Sequence, residues 1–343
     1  MSGAYGWHRN DTPSPGRSTR AHPDAFGDAR KAYDPAPAAK ARTIDPSPPP
    51  VSSRVADPSI HALVRKESTP SVGSEQKTTA RNVLIIAMDV TGSMRLWPQE
   101  IRRRMAFLYL EACKYLGSDD TEILFIAYGD AACDHHAMQV ARFGRGPELE
   151  VILESFELEG GGGGNGAESA ELVAYKVVSQ IDTSAATNVH LFFITDEPGQ
   201  DKLKSTEVKT LFGTAAPDEL SSTKTLMRLL QQRMEVYAIL CETRSYDPSI
   251  ASGWWKQMID PSHVLPLDDA RRVVDVMLGA LAAVTGQLVK YTADLRSRHA
   301  GSRYADVNVG TVLNSVAPLA GAGTPSDPYV FPGGGTKSLL AKK

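Results

Sequence analysis

The run Val83-Leu84-Ile85-Ile86-Ala87-Met88, which ends at Asp89, restricts the fold of this chain more than any other stretch. A short segment that is apolar at every position fits a β-strand covered on both faces, and such strands belong to parallel sheets. Parallel neighbours need long crossover connections, so helices must follow. The next segment supplies one: Pro98 opens it, Ile101, Met105, Leu108, Ala112 and Leu116 recur three and four apart, and Gly117 closes it. That spacing predicts an amphipathic helix with proline in its first turn, where a missing N–H is harmless, and glycine at its end.

The alternation continues. Ile123 to Tyr128 and Val189 to Thr195 read as strands, with a helix from Gly166 to Ile181 between them. A helix from about Ser222 to Arg233, a strand from Val236 to Cys241, a short helix around Trp254 and a helix from Asp268 to about Leu288 follow. Residues from about Met138 to Phe156 read as one further strand, antiparallel at an edge. The expected fold is α/β: a doubly wound, mostly parallel sheet with helices on both faces, spanning residues 79–290.

Composition decides what flanks that region. Half of the 22 prolines lie before Thr79, in patches such as Thr12-Pro13-Ser14-Pro15 and Ser47-Pro48-Pro49-Pro50, and few bulky apolar residues accompany them. Such a stretch cannot bury enough surface to offset its ordering entropy, so residues 1–78 are expected to be a disordered, Pro-rich tail. After Tyr291 the periodicity fades into Gly321-Ala322-Gly323-Thr324-Pro325 and Pro332-Gly333-Gly334-Gly335, and residues 291–343 are expected to be an irregular tail. Both tails are candidate peptide handles for other proteins.

The N-terminal stretch lacks the apolar core of a secretory signal, and no run of about 18 apolar residues occurs, so a soluble, cytoplasmic protein without a membrane span is expected. Cys113, Cys133 and Cys241 are far apart and form no Cys-x-x-Cys pair, which fits reduced thiols. A net charge of -3 shows none of the basic excess that phosphate binding requires, so nucleic acid is not an expected partner.

Chemistry concentrates where strands end. Asp89-Val90-Thr91-Gly92-Ser93 leaves the most apolar strand, and its alternate residues set a carboxylate and two hydroxyls on one side of an extended loop open to solvent. An all-oxygen set of this kind suits a hard cation such as Mg²⁺. Thr195-Asp196-Glu197-Pro198-Gly199 leaves a second buried strand and brings another carboxylate to the same edge, the edge at which doubly wound sheets bind ligands. Glu159-Gly160-Gly161-Gly162-Gly163-Gly164-Asn165-Gly166-Ala167-Glu168-Ser169 leads into a helix, and its glycines permit close backbone approach. Each segment alone has a plainer reading, since hydroxyl and acidic residues are common in turns and helix caps and a glycine run can be a linker. Their joint placement favours a metal site, with the glycine run as a functional loop inside the fold.

Asp89-x-Thr91-x-Ser93, the glycine-rich loop before a helix, and Asp196 after a later strand resemble the metal-ion-dependent adhesion site (MIDAS) of von Willebrand factor type A (vWA) domains, from about Arg81 to about Leu288. The resemblance is to the intracellular bacterial type. It implies a Rossmann-like vWA fold with Asp89, Thr91, Ser93 and Asp196 around Mg²⁺, with Mn²⁺ or Ca²⁺ as alternatives. The family's second-loop threonine has no counterpart in this chain. Asn165 and Glu168 stand in that region, as in a family variant with a Gly-Gly-Gly-Asp-x-Pro-Glu-like loop, and join the implied metal ligands on that ground. The resemblance also implies a non-enzymatic protein-interaction module, an adaptor or subunit of a multiprotein system such as one built on a MoxR-type AAA+ ATPase. A partner's acidic residue would complete the ion's shell. The competing readings are a metal-dependent hydrolase or phosphatase, against which stands the lack of an evident nucleophile with its base, and a structural assembly subunit with a stabilising ion.

Other motifs carry less. Val90 interrupts any Asp-Thr-Gly-Ser of an aspartic protease, and the glycine loop lacks the Gly-Lys-Ser or Gly-Lys-Thr ending of a P-loop. Cys133-Asp134-His135-His136 has no second ligand cluster, so solvent-facing histidines are expected over zinc. Asp130 fits a turn cap and a second acid beside the ion equally well. Trp254 and Trp255 are expected to pack in the core, and Trp97 is a candidate for an exposed binding rim.

Overall fold

The computed structural model describes residues 72–158, 166–243 and 247–321. A short strand, β1 (Gln76–Lys77), precedes β2 (Asn82–Asp89), in which every residue is buried. A 3-10 turn over Gly92–Met94 leads into α1 (Leu96–Arg103) and α2 (Met105–Leu116). The chain continues through β3 (Thr121–Tyr128), β4 (Met138–Val140), α3 (Glu148–Glu154), α4 (Ala170–Gln180), β5 (Ile181–Asp182), β6 (Asn188–Thr195) and α5 (Ser205–Phe212). It ends with α6 (Thr223–Gln231), β7 (Glu235–Cys241), α7 (Pro248–Met258), β8 (Val264–Leu267), α8 (Val273–Val284), α9 (Leu288–His299) and α10 (Ala305–Gly321).

Six strands form one sheet in the order β4-β3-β2-β6-β7-β8, parallel throughout except for β4, which runs antiparallel to β3. The uniformly apolar run of β2 is thereby explained: it lies between β3 and β6 and its two faces feed two cores. Leu84, Ile86 and Met88 pack with Ile101 of α1, Leu108 of α2 and Met277 of α8. Val83, Ile85 and Ala87 pack with Val173 of α4, Leu226 of α6 and Trp255 of α7. Helices on both faces of a mostly parallel sheet are what the sequence pattern predicts, and no described helix is long and apolar enough to cross a membrane.

Several elements differ from the sequence expectations. The single helix from Pro98 to Leu116 is broken at Arg104, whose φ of -110° and ψ of 15° leave the helical region. The stretch around Met138 to Phe156 does supply an antiparallel edge strand, but its second half is the helix α3. β8 escapes a search for apolar runs because it is short and holds Pro266, whose missing N–H is tolerated on an edge strand.

The largest correction concerns the C-terminal side. Residues 291–321, expected to be irregular, form most of α9 and all of α10, and Tyr291, Leu295, Val309, Val312, Val316 and Leu319 are buried in the same core as α8. The boundary near residue 79 also moves outward. β1 pairs with β5, and the buried Lys176 of α4 donates to the carbonyls of Val72 and Ser74 at 2.6 Å each, so the residues from Val72 are tied to the fold. The remaining parts of both expected tails, 1–71 and 322–343, lie outside the described residues.

Candidate functional site

The strand order reverses around β2: the chain passes from β2 to β3 on one side, and β6 then adds on the other. Loops leaving β2 and β6 diverge at such a point and leave a crevice at the carboxyl ends of the strands. Asp89 is the last residue of β2, and Asp196 directly follows β6.

Hydroxyls bind these two carboxylates together. Asp89 Oδ1 accepts from the backbone N–H of Thr91 at 2.9 Å and from Thr91 Oγ1 at 2.6 Å, and Asp89 Oδ2 accepts from Thr195 Oγ1 at 3.0 Å. Thr91 Oγ1 lies 3.4 Å from Ser93 Oγ, which donates to Asp196 Oδ1 at 3.1 Å. Asp196 Oδ2 accepts from Thr243 Oγ1, just beyond β7. Each oxygen of the two aspartates thus accepts from one hydroxyl, and the exits of β2, β6 and β7 are joined. Of the sequence-predicted residues, Asp89, Thr91, Ser93 and Asp196 are brought together. Thr195 and Thr243 were missed, and the available signal was a hydroxyl at the carboxyl end of each neighbouring strand.

The expectation of a solvent-open Asp89 is corrected: the residue is 0% exposed. Burial, and then the nearby charge of Asp196, push its carboxyl up to about 7 against the opposing pull of its hydrogen bonds. Burial also raises Asp196.

Glu168 occupies the flank. Its N–H donates to the carbonyl of Pro198 at 2.9 Å, and the N–H of Ser169 donates to the carbonyl of Gly129 at 3.1 Å, which pins this turn between the exits of β6 and β3. The tethering explains why the helix expected from Gly166 begins only at Ala170. Glu168 is 2% exposed, and its Oε2 is buried without a hydrogen-bond partner among the described residues. Burial raises its carboxyl strongly, followed by the charges of Asp89, Glu197, Asp134 and Asp130. Asn165 and the glycines Gly160 to Gly164 lie outside the described residues.

The surroundings brace the loops. Gly129 permits a close approach, since a Cβ there would stand 2.2 Å from Asp134 Oδ2. Asp130 is buried and accepts from the N–H of Ala132 at 2.8 Å, so it caps its turn while also lying within electrostatic reach of Glu168 and Glu197. Trp255 is fully buried and donates to the carbonyl of Glu197 at 3.1 Å, and Trp254 donates to Asp201 at 2.8 Å, consistent with packing roles. Trp97 is not on a rim: it is 4% exposed, while its neighbour Leu96 is 38% exposed. His135 is exposed, its ring meets that of His136 edge-on, and His136 faces Glu157 at 3.0 Å.

No family model matches the chain, and no curated protein matches it in sequence. Among solved structures, it is similar to the pilus adhesin SpaC from Lactobacillus rhamnosus GG in its open conformation, at 11% identity and a TM-score of 0.42, over 62% of this chain and 31% of the adhesin. It is also similar to the conserved hypothetical protein BatB from Bacteroides thetaiotaomicron, at 12% identity and a TM-score of 0.35, over 62% of this chain and 99% of that one. The chain therefore spans about a third of the length of the adhesin that it matches.

The donor set fits a hard divalent cation. It is made of oxygen alone, it sets two carboxylates on either side of two neighbouring hydroxyls, and Glu168, within electrostatic reach of Asp89, has one buried oxygen without a hydrogen-bond partner among the described residues. Among the described residues, no group of three or more His, Cys, Asp or Glu side chains converges to hold an ion by those groups alone.

Proposed function

We propose that this chain is a vWA-type protein-interaction module whose Mg²⁺ anchors an acidic side chain of a partner protein. The observation that supports the reading is the oxygen series Asp89–Thr91–Ser93–Asp196, in which Thr91 Oγ1 donates to Asp89, Ser93 Oγ donates to Asp196 and the two hydroxyl oxygens lie 3.4 Å apart, at the point where the strand order reverses. Asp89 and Asp196 would neutralise the ion in part, and the hydroxyls of Thr91 and Ser93 would ligate without adding charge. When bound, the cation supplies a fixed positive centre for a carboxylate, and the neighbouring loops supply selectivity. The role is that of a cytoplasmic adaptor or assembly subunit, with a MoxR-type AAA+ ATPase as one class of partner, and it requires no catalysis by this chain.

The test is affinity capture with full-length protein in Mg²⁺ and in EDTA. Affinities are then measured after each candidate Asp or Glu of the captured partner is changed to Asn or Gln. Loss of one such contact should weaken binding about thirtyfold or more. Affinities that stay unchanged under EDTA and under all those substitutions exclude the metal as anchor.

A further inference from the structure

The C-terminal helices meet α8 through a knot of buried polar side chains. Arg272, in the 3-10 turn before α8, and His299, at the end of α9, are both 0% exposed, and Asn308 of α10 is 1% exposed. His299 links the other two: Arg272 Nη1 lies 3.4 Å from its Nε2, and the side-chain amide of Asn308 lies 3.3 Å from its Nδ1. A guanidinium donates and never accepts, so Nε2 is the nitrogen without a proton. The proton then sits on Nδ1. Asn308 Oδ1 is buried without a partner among the described residues, and a half-turn of the amide presents it to that N–H. His299 is therefore neutral while α10 is docked.

We infer that α10 is an acid-released cover of the sheet edge, and that protonation of His299 releases it. The charged groups of the knot are three guanidiniums and two carboxylates: Arg272 lies 3.8 Å from Asp269 and 3.6 Å from Asp275, Arg271 pairs with Asp269 at 3.1 Å, and Arg298 with Asp275 at 3.4 Å. The knot is thus positive before any proton is added, and α10 faces it with the neutral Asn308. A second proton on the ring would set an imidazolium N–H against the guanidinium of Arg272, like charge against like in a site closed to water. Undocking relieves this, because a solvated histidine takes up its proton near about pH 6.5. The docked state excludes a proton that the released state accepts, so docking is complete above that range and weakens as pH falls through it. Release uncovers β8, the last strand of the sheet, where Ser315 Oγ of α10 donates to the carbonyl of Pro266 at 2.6 Å. An uncovered edge strand offers its backbone to a pairing partner.

Hydrogen exchange of the full chain between about pH 7.5 and about pH 5.5, expressed as protection factors, tests this. Amides from Val309 to Leu319 should lose about tenfold of their protection over that range, while those of β2 keep theirs. His299→Gln keeps an acceptor towards Arg272 and cannot titrate, so its α10 amides should hold their protection throughout. Nitrogen chemical shifts of the wild-type imidazole need no variant: at about pH 7.5 the proton of His299 should sit on Nδ1 alone. A ring protonated there at Nε2, or at both nitrogens, overturns the inference. So does α10 protection that is independent of pH in wild type, that falls equally in wild type and His299→Gln, or that falls in step with β2.

Discussion

Ser93 Oγ donates to Asp196 Oδ1 at 3.1 Å across 103 residues of sequence, and this contact joins the exits of β2 and β6. Divalent-ion affinity should therefore depend on both loops. Asp89→Ala should abolish Mg²⁺ binding in calorimetry, Asp196→Ala should weaken it by about tenfold or more, and Ser93→Ala should weaken it less because a neutral ligand is lost. Asp89→Ala should also lower stability by about 1–3 kcal/mol in urea denaturation, because it strands the buried hydroxyls of Thr91 and Thr195.

How far the site was legible follows from what each residue shows in one dimension. Asp89, Thr91, Ser93 and Asp196 stand directly after apolar runs, so strand recognition located them. Thr243 follows a recognised strand too, but a single hydroxyl there is a weak signal until β7 is known to lie beside β6. α10 was missed for a different reason. Val309, Val312, Val316 and Leu319 keep the spacing of a helical face, while Gly310, Asn314 and Pro318 dilute it with residues of low helix propensity. Packing against α8 and β8 overrides that weakness.

Lys176→Met should loosen the residues that lead into β1. The ammonium donates to Val72 O, Ser74 O and Gln180 Oε1, at 2.6, 2.6 and 2.8 Å, and methionine keeps the bulk without the donors. Backbone amides of Gln76 to Thr78 should exchange with deuterium about tenfold faster, with protection in β2 unchanged. Unaltered exchange in Gln76 to Thr78 would show that pairing with β5 alone holds this segment.

Gly279 and Gly310 should respond to alanine in opposite directions. A Cβ on Gly279 would stand 2.9 Å from Val316 Cγ1 and 3.1 Å from Tyr291 Cε1, so α9 and α10 approach α8 over a position that has no room. Crowding of about 1–3 kcal/mol outweighs the helix preference of alanine there. At Gly310 a Cβ meets nothing within 4 Å, and alanine should stabilise by roughly 0.5–1 kcal/mol. Chemical denaturation of both variants checks the pair, and equal shifts of one sign would contradict the close packing of α10.

The last prediction concerns pH in the presence of EDTA, through Glu171 in the first turn of α4. Glu171 is fully buried, accepts from the N–H of Gln200 at 3.2 Å through Oε2, and has no partner at Oε1 among the described residues. Burial pushes its carboxyl up to about 8 from the ordinary 4.5, so it is mostly protonated at neutral pH. A folded value above the unfolded one means that the native state holds the proton more tightly. The resulting stability is complete below about 4.5 and is lost as pH rises towards about 8, with a slope of at most about 1.4 kcal/mol per pH unit for one proton. Glu171→Gln mimics the protonated acid and removes the titration. In urea denaturation its stability relative to wild type should therefore increase steadily from about pH 5 to about pH 8. A difference between the two proteins that stays constant over this range would show that Glu171 is ionised in the folded state and held by groups other than Gln200.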